Sequence, residues 1–305
     1  MTLKDKTQIN RKSFLKGLLA VPVIASSIPS LAKTKLDLEN KDNFYSYLYD
    51  ATKCIGCKAC VNGCIKVNTL PKAFGDESKK LTEFELPNLE KSRALTEIQA
   101  YSKESYVKEQ CMQCLHPSCV SACPVSAMEK DPKTGVVTNL KDKCIGCRYC
   151  MVACPFNIIK FEWSKTFPKI LKCNVCVETN LKDGKGIPGC VSACPQGALT
   201  FGKRKEILDL AKKRIKSSPG KFLKNKVYGE TEGGGTSIFI LAKAESKTFK
   251  SIGLPEPDKF QHSPAEDTEF IQQIYTKGIA PIAAFAALAT AVFINSKKHD
   301  EHWEE

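Results

Sequence analysis

No serine–histidine–acid set, no paired carboxylates spaced for acid–base work and no glycine-rich phosphate loop stands out along these 305 residues. Those gaps exclude the common hydrolytic and nucleotide-dependent chemistries, so no substrate site of the chain's own is expected. None of the C-x2-C pairs is followed by histidine, which removes attachment of a c-type haem. The glycines of GKGIPG (Gly184, Gly186, Gly189) satisfy G-x-G-x-x-G, but they enclose Pro188 and lie between Cys176 and Cys190, not on a strand-to-helix turn. That is a chance match. Long uncharged apolar runs are confined to the two ends of the chain.

What the chain has in quantity is cysteine, sixteen residues in four runs of four. The first run is Cys54, Cys57, Cys60 and Cys64, and the second is Cys111, Cys114, Cys119 and Cys123. The third is Cys144, Cys147, Cys150 and Cys154, and the fourth is Cys173, Cys176, Cys190 and Cys194. The third, CIGCRYCMVACP, is the bacterial ferredoxin pattern C-x2-C-x2-C-x3-C-P without deviation. Its spacing has a geometric purpose. Cysteines three apart in a tight loop reach three corners of one iron-sulfur cube, while the fourth, a helical turn further on, faces a neighbouring cube. The proline ends or redirects the helix behind that fourth ligand. Runs that lend a ligand must therefore work in pairs.

Other metals and bonds compete with this reading. Taken alone, Cys173, Cys176, Cys190 and Cys194 would pass for a structural zinc ribbon. Three neighbouring runs with ferredoxin spacing favour iron-sulfur instead. Disulfides are compatible with an exported protein, but sixteen thiols bunched three and four residues apart would make strained local bridges.

The formal net charge of +13 would ordinarily suggest nucleic acid or an anionic membrane. A chain starting at Lys33 carries 41 basic against 32 acidic side chains, or +9. Four cubes with thiolate ligands, each formally about −2, cancel most of that excess, so the lysines serve as counter-charge and no nucleic-acid partner is expected. Lys53, Lys58, Lys141, Lys143, Arg148, Lys169 and Lys172 flank the cysteine runs and are candidate counter-charges, against the plainer reading of solvated lysines.

Along the chain, residues 1–32 read as an export signal: Arg11 and Lys12 precede an apolar run, and Ser30-Leu31-Ala32 supplies small residues for cleavage. The pattern is twin-arginine-like with lysine in the second place. A polar linker covers 33–43, a four-cluster domain 44–205, and a helix and strand packing on its core 206–245. Tyr45, Tyr47 and Tyr49 suggest a strand leading into the first run. Short strands are also expected near Val136 to Thr138, in FNIIKFEW, in GALTFG and over Ser237 to Leu241. KEILDLAKKRIK has helical spacing. The stretch from Leu70 to Tyr106 has no clear period and reads as a surface insertion, and 246–277 as an extended connection. Residues 278–295 are expected to span the membrane, with 296–305 a short cytoplasmic tail; the uncharged run Gly278 to Ile294 would be about 26 Å long. Ala283, Ala287 and Ala291 give it a small-residue face for another helix. His116, inside the second run, is a candidate for adjusting a cluster's potential. Trp163 is read as packing.

Four runs in this order, with C-x2-C-x4-C-x3-C-P second and the split run last, resemble the four-cluster ferredoxin subunits of membrane-bound respiratory oxidoreductases. The stretches KDPKTGVV, CRYCMVACPFN, IPGC, YGETEGGGT and YTKGIAP are similar to the iron-sulfur subunits of hydrogenase-2 type nickel-iron hydrogenases. The resemblance implies an α+β fold of two pseudo-symmetric bacterial ferredoxin-like units with long loop insertions, plus one C-terminal transmembrane helix. It implies four [4Fe-4S] clusters: Cys54, Cys57, Cys60 and Cys194; Cys64, Cys173, Cys176 and Cys190; Cys111, Cys114, Cys119 and Cys154; and Cys123, Cys144, Cys147 and Cys150. Sequence leaves the swapped pairing open. The implied role is non-catalytic: to relay electrons from the small and large subunits of a hydrogenase to an integral membrane quinone-reactive subunit, at the periplasmic face of the inner membrane. The same subunit type serves molybdenum enzymes acting on formate, polysulfide or sulfoxides. A zinc-stabilised binding module whose basic surface engages nucleic acid or anionic lipid is the non-redox reading.

Overall fold

A computed structural model describes residues 39–68, 95–102, 104–161, 170–181 and 186–265, together with Ala286 and Thr290. Its centre is a three-stranded sheet, β1 (Tyr45–Asp50) between β8 (Leu199–Lys203) and β9 (Ile238–Leu241). β1 runs antiparallel to β8, with Tyr47 opposite Phe201, and parallel to β9, with Tyr47 opposite Ile238. The period-two alternation of a strand sends its side chains to two different cores. Leu48, Phe239 and Leu241 pack with Ile207 and Ala211 of the helix α5 (Arg204–Ser217) and with Phe222 and Val227. Tyr47, Tyr49, Ile238 and Ile240 face the cysteine-bearing core. Full burial of each such apolar side chain stabilises by about 1.5–3 kcal/mol. Glu206 accepts from the Lys203 amide at 3.3 Å to start α5, and Arg214 reaches back to Asp50 at 3.0 Å to hold the helix on β1.

The helices that carry cysteines are short and packed in pairs. α1 (Ala59–Val67) lies on α4 (Gly189–Ser192), so the first run meets the fourth. α2 (Ser118–Ser121) lies on α3 (Tyr149–Val152), so the second meets the third. The α1–α4 contact depends on two missing side chains: a Cβ on Gly63 would stand 2.5 Å from the Gly189 carbonyl oxygen. Around α2 and α3 sit the two-stranded pairs β4 (Met128–Lys130) with β5 (Val137–Asn139) and β6 (Lys160–Phe161) with β7 (Ile170–Leu171). Met128, Val137, Ile159, Phe161 and Ile170 form a separate small core there. The expected strands and the expected helix are all present at or within a few residues of their predicted places.

Two expectations need correction. The stretch from 70 to 106 is not simply a surface insertion, because β2 (Thr96–Ser102) and β3 (Ser105–Gln110) form an antiparallel hairpin whose Ile98, Ala100, Tyr106 and Val107 are buried. Buried Gln99, Lys108 and Gln110 interrupt the apolar alternation and hide the strands from a periodicity reading. Nor is the described part of the chain from 244 to 265 an extended connection. Single-turn helices at Ala244–Ser246, Lys250–Ile252 and Pro257–Lys259 fold it back on the core. There Phe249 sits 4.9 Å from the Tyr228 ring and Phe260 meets Phe156 edge-on at 5.5 Å. The export signal, Trp163 and nearly all of the predicted membrane span lie outside the described residues. Ala286 and Thr290 are helical, with the Thr290 hydroxyl donating to the Ala286 carbonyl at 2.8 Å. Among the described residues no helix is long and apolar enough to cross a membrane.

Candidate metal centres

Each cysteine run is shaped by residues held in the left-handed region. In CIGCK, Gly56 has φ 71° and Lys58 φ 56°; in CIGCR, Gly146 has φ 72° and Arg148 φ 67°. The first reversal closes the loop between two cysteines. The second comes just before α1 or α3 and turns the third cysteine inward. A related turn follows three of the runs. Ser126 and Asn157 at φ 51° and Gly197 at φ 57° each lie three residues after the last cysteine, two after its proline. This turn aims an amide at sulfur: Ala127 N–H donates to Cys123 Sγ at 3.1 Å and Ala198 N–H to Cys194 Sγ at 3.3 Å.

The folded chain exchanges the last cysteine of each run with its partner run. Cys194 joins Cys54, Cys57 and Cys60 around one cavity, and Cys123 joins Cys144, Cys147 and Cys150 around another. Cys64 lies among Cys173, Cys190 and Cys176. Cys154 lies among Cys111, Cys114 and Cys119. Two close approaches join three of these groups in series: Cys60 is close to Cys190, and Cys111 to Cys173. All sixteen thiols are free of disulfides. Among the described residues no three His, Cys, Asp or Glu side chains converge on a single metal ion, so the sulfurs surround cavities.

The electrostatics of these cavities are unfavourable for bare thiolates. Burial, and then charge on Cys190, Cys54 and Cys194, pushes Cys60 up to about 12 against the pull of Lys108. Burial followed by Cys173 does the same to Cys64, again about 12. Cys150 reaches about 12 through burial and then Cys147, Cys123 and Cys144. Burial with neighbouring sulfur charge raises Cys114 and Cys119 further still. Four such sulfurs can ionise together only beside a strong cationic centre, which is what a thiolate-ligated metal cluster provides. The Tyr47 hydroxyl is fully buried beside Cys173 and Cys190, and burial together with their charge pushes it well up.

Two stretches match family models described as 4Fe-4S dicluster domain, residues 46–124 and 102–204. Hydrogenase-2 operon protein HybA of Escherichia coli O157:H7 is 34% identical over 96% of this chain and 98% of its own length. The chain belongs to the HybA family of 4Fe-4S dicluster proteins. Protein NrfC homolog of Haemophilus influenzae is 33% identical over 70% of the chain and 88% of its own length. Thiosulfate reductase electron transfer subunit PhsB of Salmonella typhi is 38% identical over 54% of the chain and 78% of its own length.

The residues around the cavities of this HybA-family chain fit such clusters. Amides and side chains point at the sulfurs: besides Ala127 and Ala198, the Asn68 amide stands 3.6 Å from Cys64 Sγ and 3.9 Å from Cys176 Sγ. Lys172, one of the predicted counter-charges, is buried with its ammonium 4.0 Å from Cys111 Sγ. Lys53, Lys141 and Lys143 are exposed, as the plainer reading has it, and Lys169 lies outside the described residues. His116 is half-buried in the second run, and its carbonyl accepts from the Ser263 hydroxyl at 2.7 Å.

Sequence reasoning passed over Gln113, Lys108 and Lys130. Fully buried Gln113 donates to the Cys173 carbonyl at 2.8 Å and accepts from the Val137 amide at 2.7 Å, which ties the second run to the fourth. Lys130 donates to the carbonyls of Cys114 and Leu115 at 2.7 and 3.1 Å. Nothing in a single sequence distinguishes these polar side chains from surface ones.

Proposed function

We propose that the chain is a non-catalytic electron-transfer subunit with four [4Fe-4S] clusters in series. The order is Cys123, Cys144, Cys147 and Cys150; Cys111, Cys114, Cys119 and Cys154; Cys64, Cys173, Cys176 and Cys190; and Cys54, Cys57, Cys60 and Cys194. The observation that carries the reading is the exchange of one cysteine between paired runs, which surrounds each cavity with four thiols. Clusters of this kind take up and pass on single electrons. The chain's part is to exclude water, direct amides at sulfur and keep neighbouring centres close.

Both ends of the series suit docking. Ile145, Tyr149 and Val152 are exposed around exposed Cys147, and Ile55 is exposed beside Cys54. The likeness to a protein named for the hydrogenase-2 operon supports a nickel-iron hydrogenase as electron donor and a quinone-reactive membrane subunit as acceptor. Export by the twin-arginine-like signal, a C-terminal membrane anchor and a periplasmic location complete this reading. A molybdenum oxidoreductase is the second reading, favoured by the likeness to the electron transfer subunit of thiosulfate reductase. Purification from native membranes without oxygen tests both. About sixteen irons per chain with nickel in the complex is the expected result, and molybdenum instead of nickel selects the second reading. A pale chain carrying zinc overturns both.

A further inference from the structure

Lys108 lies in β3, three residues before Cys111, yet its ammonium faces a different part of the molecule. It is 2% exposed, donates to the Thr96 hydroxyl at 2.5 Å and to the Gln110 side-chain oxygen, and lies 5.5 Å from the centre of the Tyr47 ring. Among the described residues no carboxylate pairs with it, whereas buried Lys160 has Glu97 at 3.0 Å. A buried ammonium without a counter-anion costs several kcal/mol, so a native fold that keeps one must supply negative charge nearby. The anionic groups nearest Lys108 are Cys190, Cys60, Cys173 and Cys64. They belong to two adjacent thiol groups: Cys60 to the group of Cys54, Cys57 and Cys194, and Cys64, Cys173 and Cys190 to the next.

We propose that Lys108 is the shared counter-charge of two adjacent clusters, a positioning residue that raises the reduction potentials of both. The inference rests on the functional reading above. Adding an electron to a thiolate-ligated cluster increases its negative charge, and a fixed cation between two of them favours the reduced form of each. Thr96, Gln110 and the face of Tyr47 hold the ammonium where it serves both. The other groups are served differently. Lys172 and Lys130 lie by Cys111 and Cys114, while the sulfur charges acting on Cys150 have no lysine opposing them. Among the described residues, buried lysines lie by three of the four groups, and the charges acting on Cys150 beside exposed Cys147 come from sulfur.

Redox titration followed by electron paramagnetic resonance on the anaerobically purified protein tests this, with K108M, K108R and wild type compared for iron content. In K108M two of the four centres should titrate at lower potential, together, with the other two unmoved. K108R should return both toward wild type. Loss of about half the iron in K108M, restored in K108R, also supports the shared role. Unmoved potentials in fully loaded K108M overturn it, as does equal loss of iron from both variants, which would make Lys108 merely structural. Wild type that carries no iron would instead defeat the functional reading itself.

Discussion

The loops Cys54–Lys58 and Cys144–Arg148 share the residues CIGC followed by a base, and their backbones match, with glycine φ of 71° and 72°. Their surroundings differ. Gly56 is buried, and a Cβ there would come 2.4 Å from the Tyr106 ring of the β2–β3 hairpin. Around the other loop, Ile145 is 60% and Val152 80% exposed, and Cys147 is open to solvent. A short motif sets the path of the backbone, while distant chain decides whether the site it builds is insulated or accessible. Both loops belong to terminal groups of the proposed series, and the more open one, with Ile145 and Val152 exposed, is the better placed for a partner to dock.

The strongest way to break the comparison is to test the exchanged ligands. Cys154→Ser should disturb the cluster held by Cys111, Cys114 and Cys119, although residue 154 is in the third run, and Cys194→Ser the one held by Cys54, Cys57 and Cys60. Each should cost about a quarter of the iron, with different resonance signals lost. Loss of the signal from the mutated residue's own run would reverse the pairing.

Packing over the insulated loop gives the next effect. Gly56→Ala combines a left-handed backbone with overlap against Tyr106 and should destabilise by about 3 kcal/mol. Gly197→Ala has φ 57° but nothing within 4 Å of its added carbon, so about 1 kcal/mol is expected by denaturant unfolding. Equal losses would remove Tyr106 from the argument. Brief oxidation should separate the two loops kinetically. The cluster by Cys147 should lose iron several-fold faster than the one by Cys60, followed by its resonance signal. Smallest of all, Val152→Asp should change stability by no more than about 0.5 kcal/mol while weakening binding of the redox partner in a pull-down from membranes.

Much of the site was legible because cysteine spacing reports local geometry. The runs, the proline turns and the strand through Tyr45, Tyr47 and Tyr49 could all be read residue by residue. The β2–β3 hairpin could not, since Gln99, Lys108 and Gln110 look like surface residues until the clusters' cysteines are placed beside them. The segment after Lys243 was misread for a related reason. Its Phe249, Ile252 and Phe260 are too sparse to form a periodic pattern, and Phe249 and Ile252 are buried, and Phe260 partly buried, against residues far away in sequence.

Local covalent order was sufficient to determine which residues could hold metal and where each loop must reverse, because a loop of three or four residues has few backbone paths available to it. Which run would share with which, how deeply each group would be buried and where Lys108 would direct its charge were decided only by tertiary packing. Those properties depend on distances between segments tens of residues apart, and desolvation and Coulomb energies follow such distances rather than sequence neighbours.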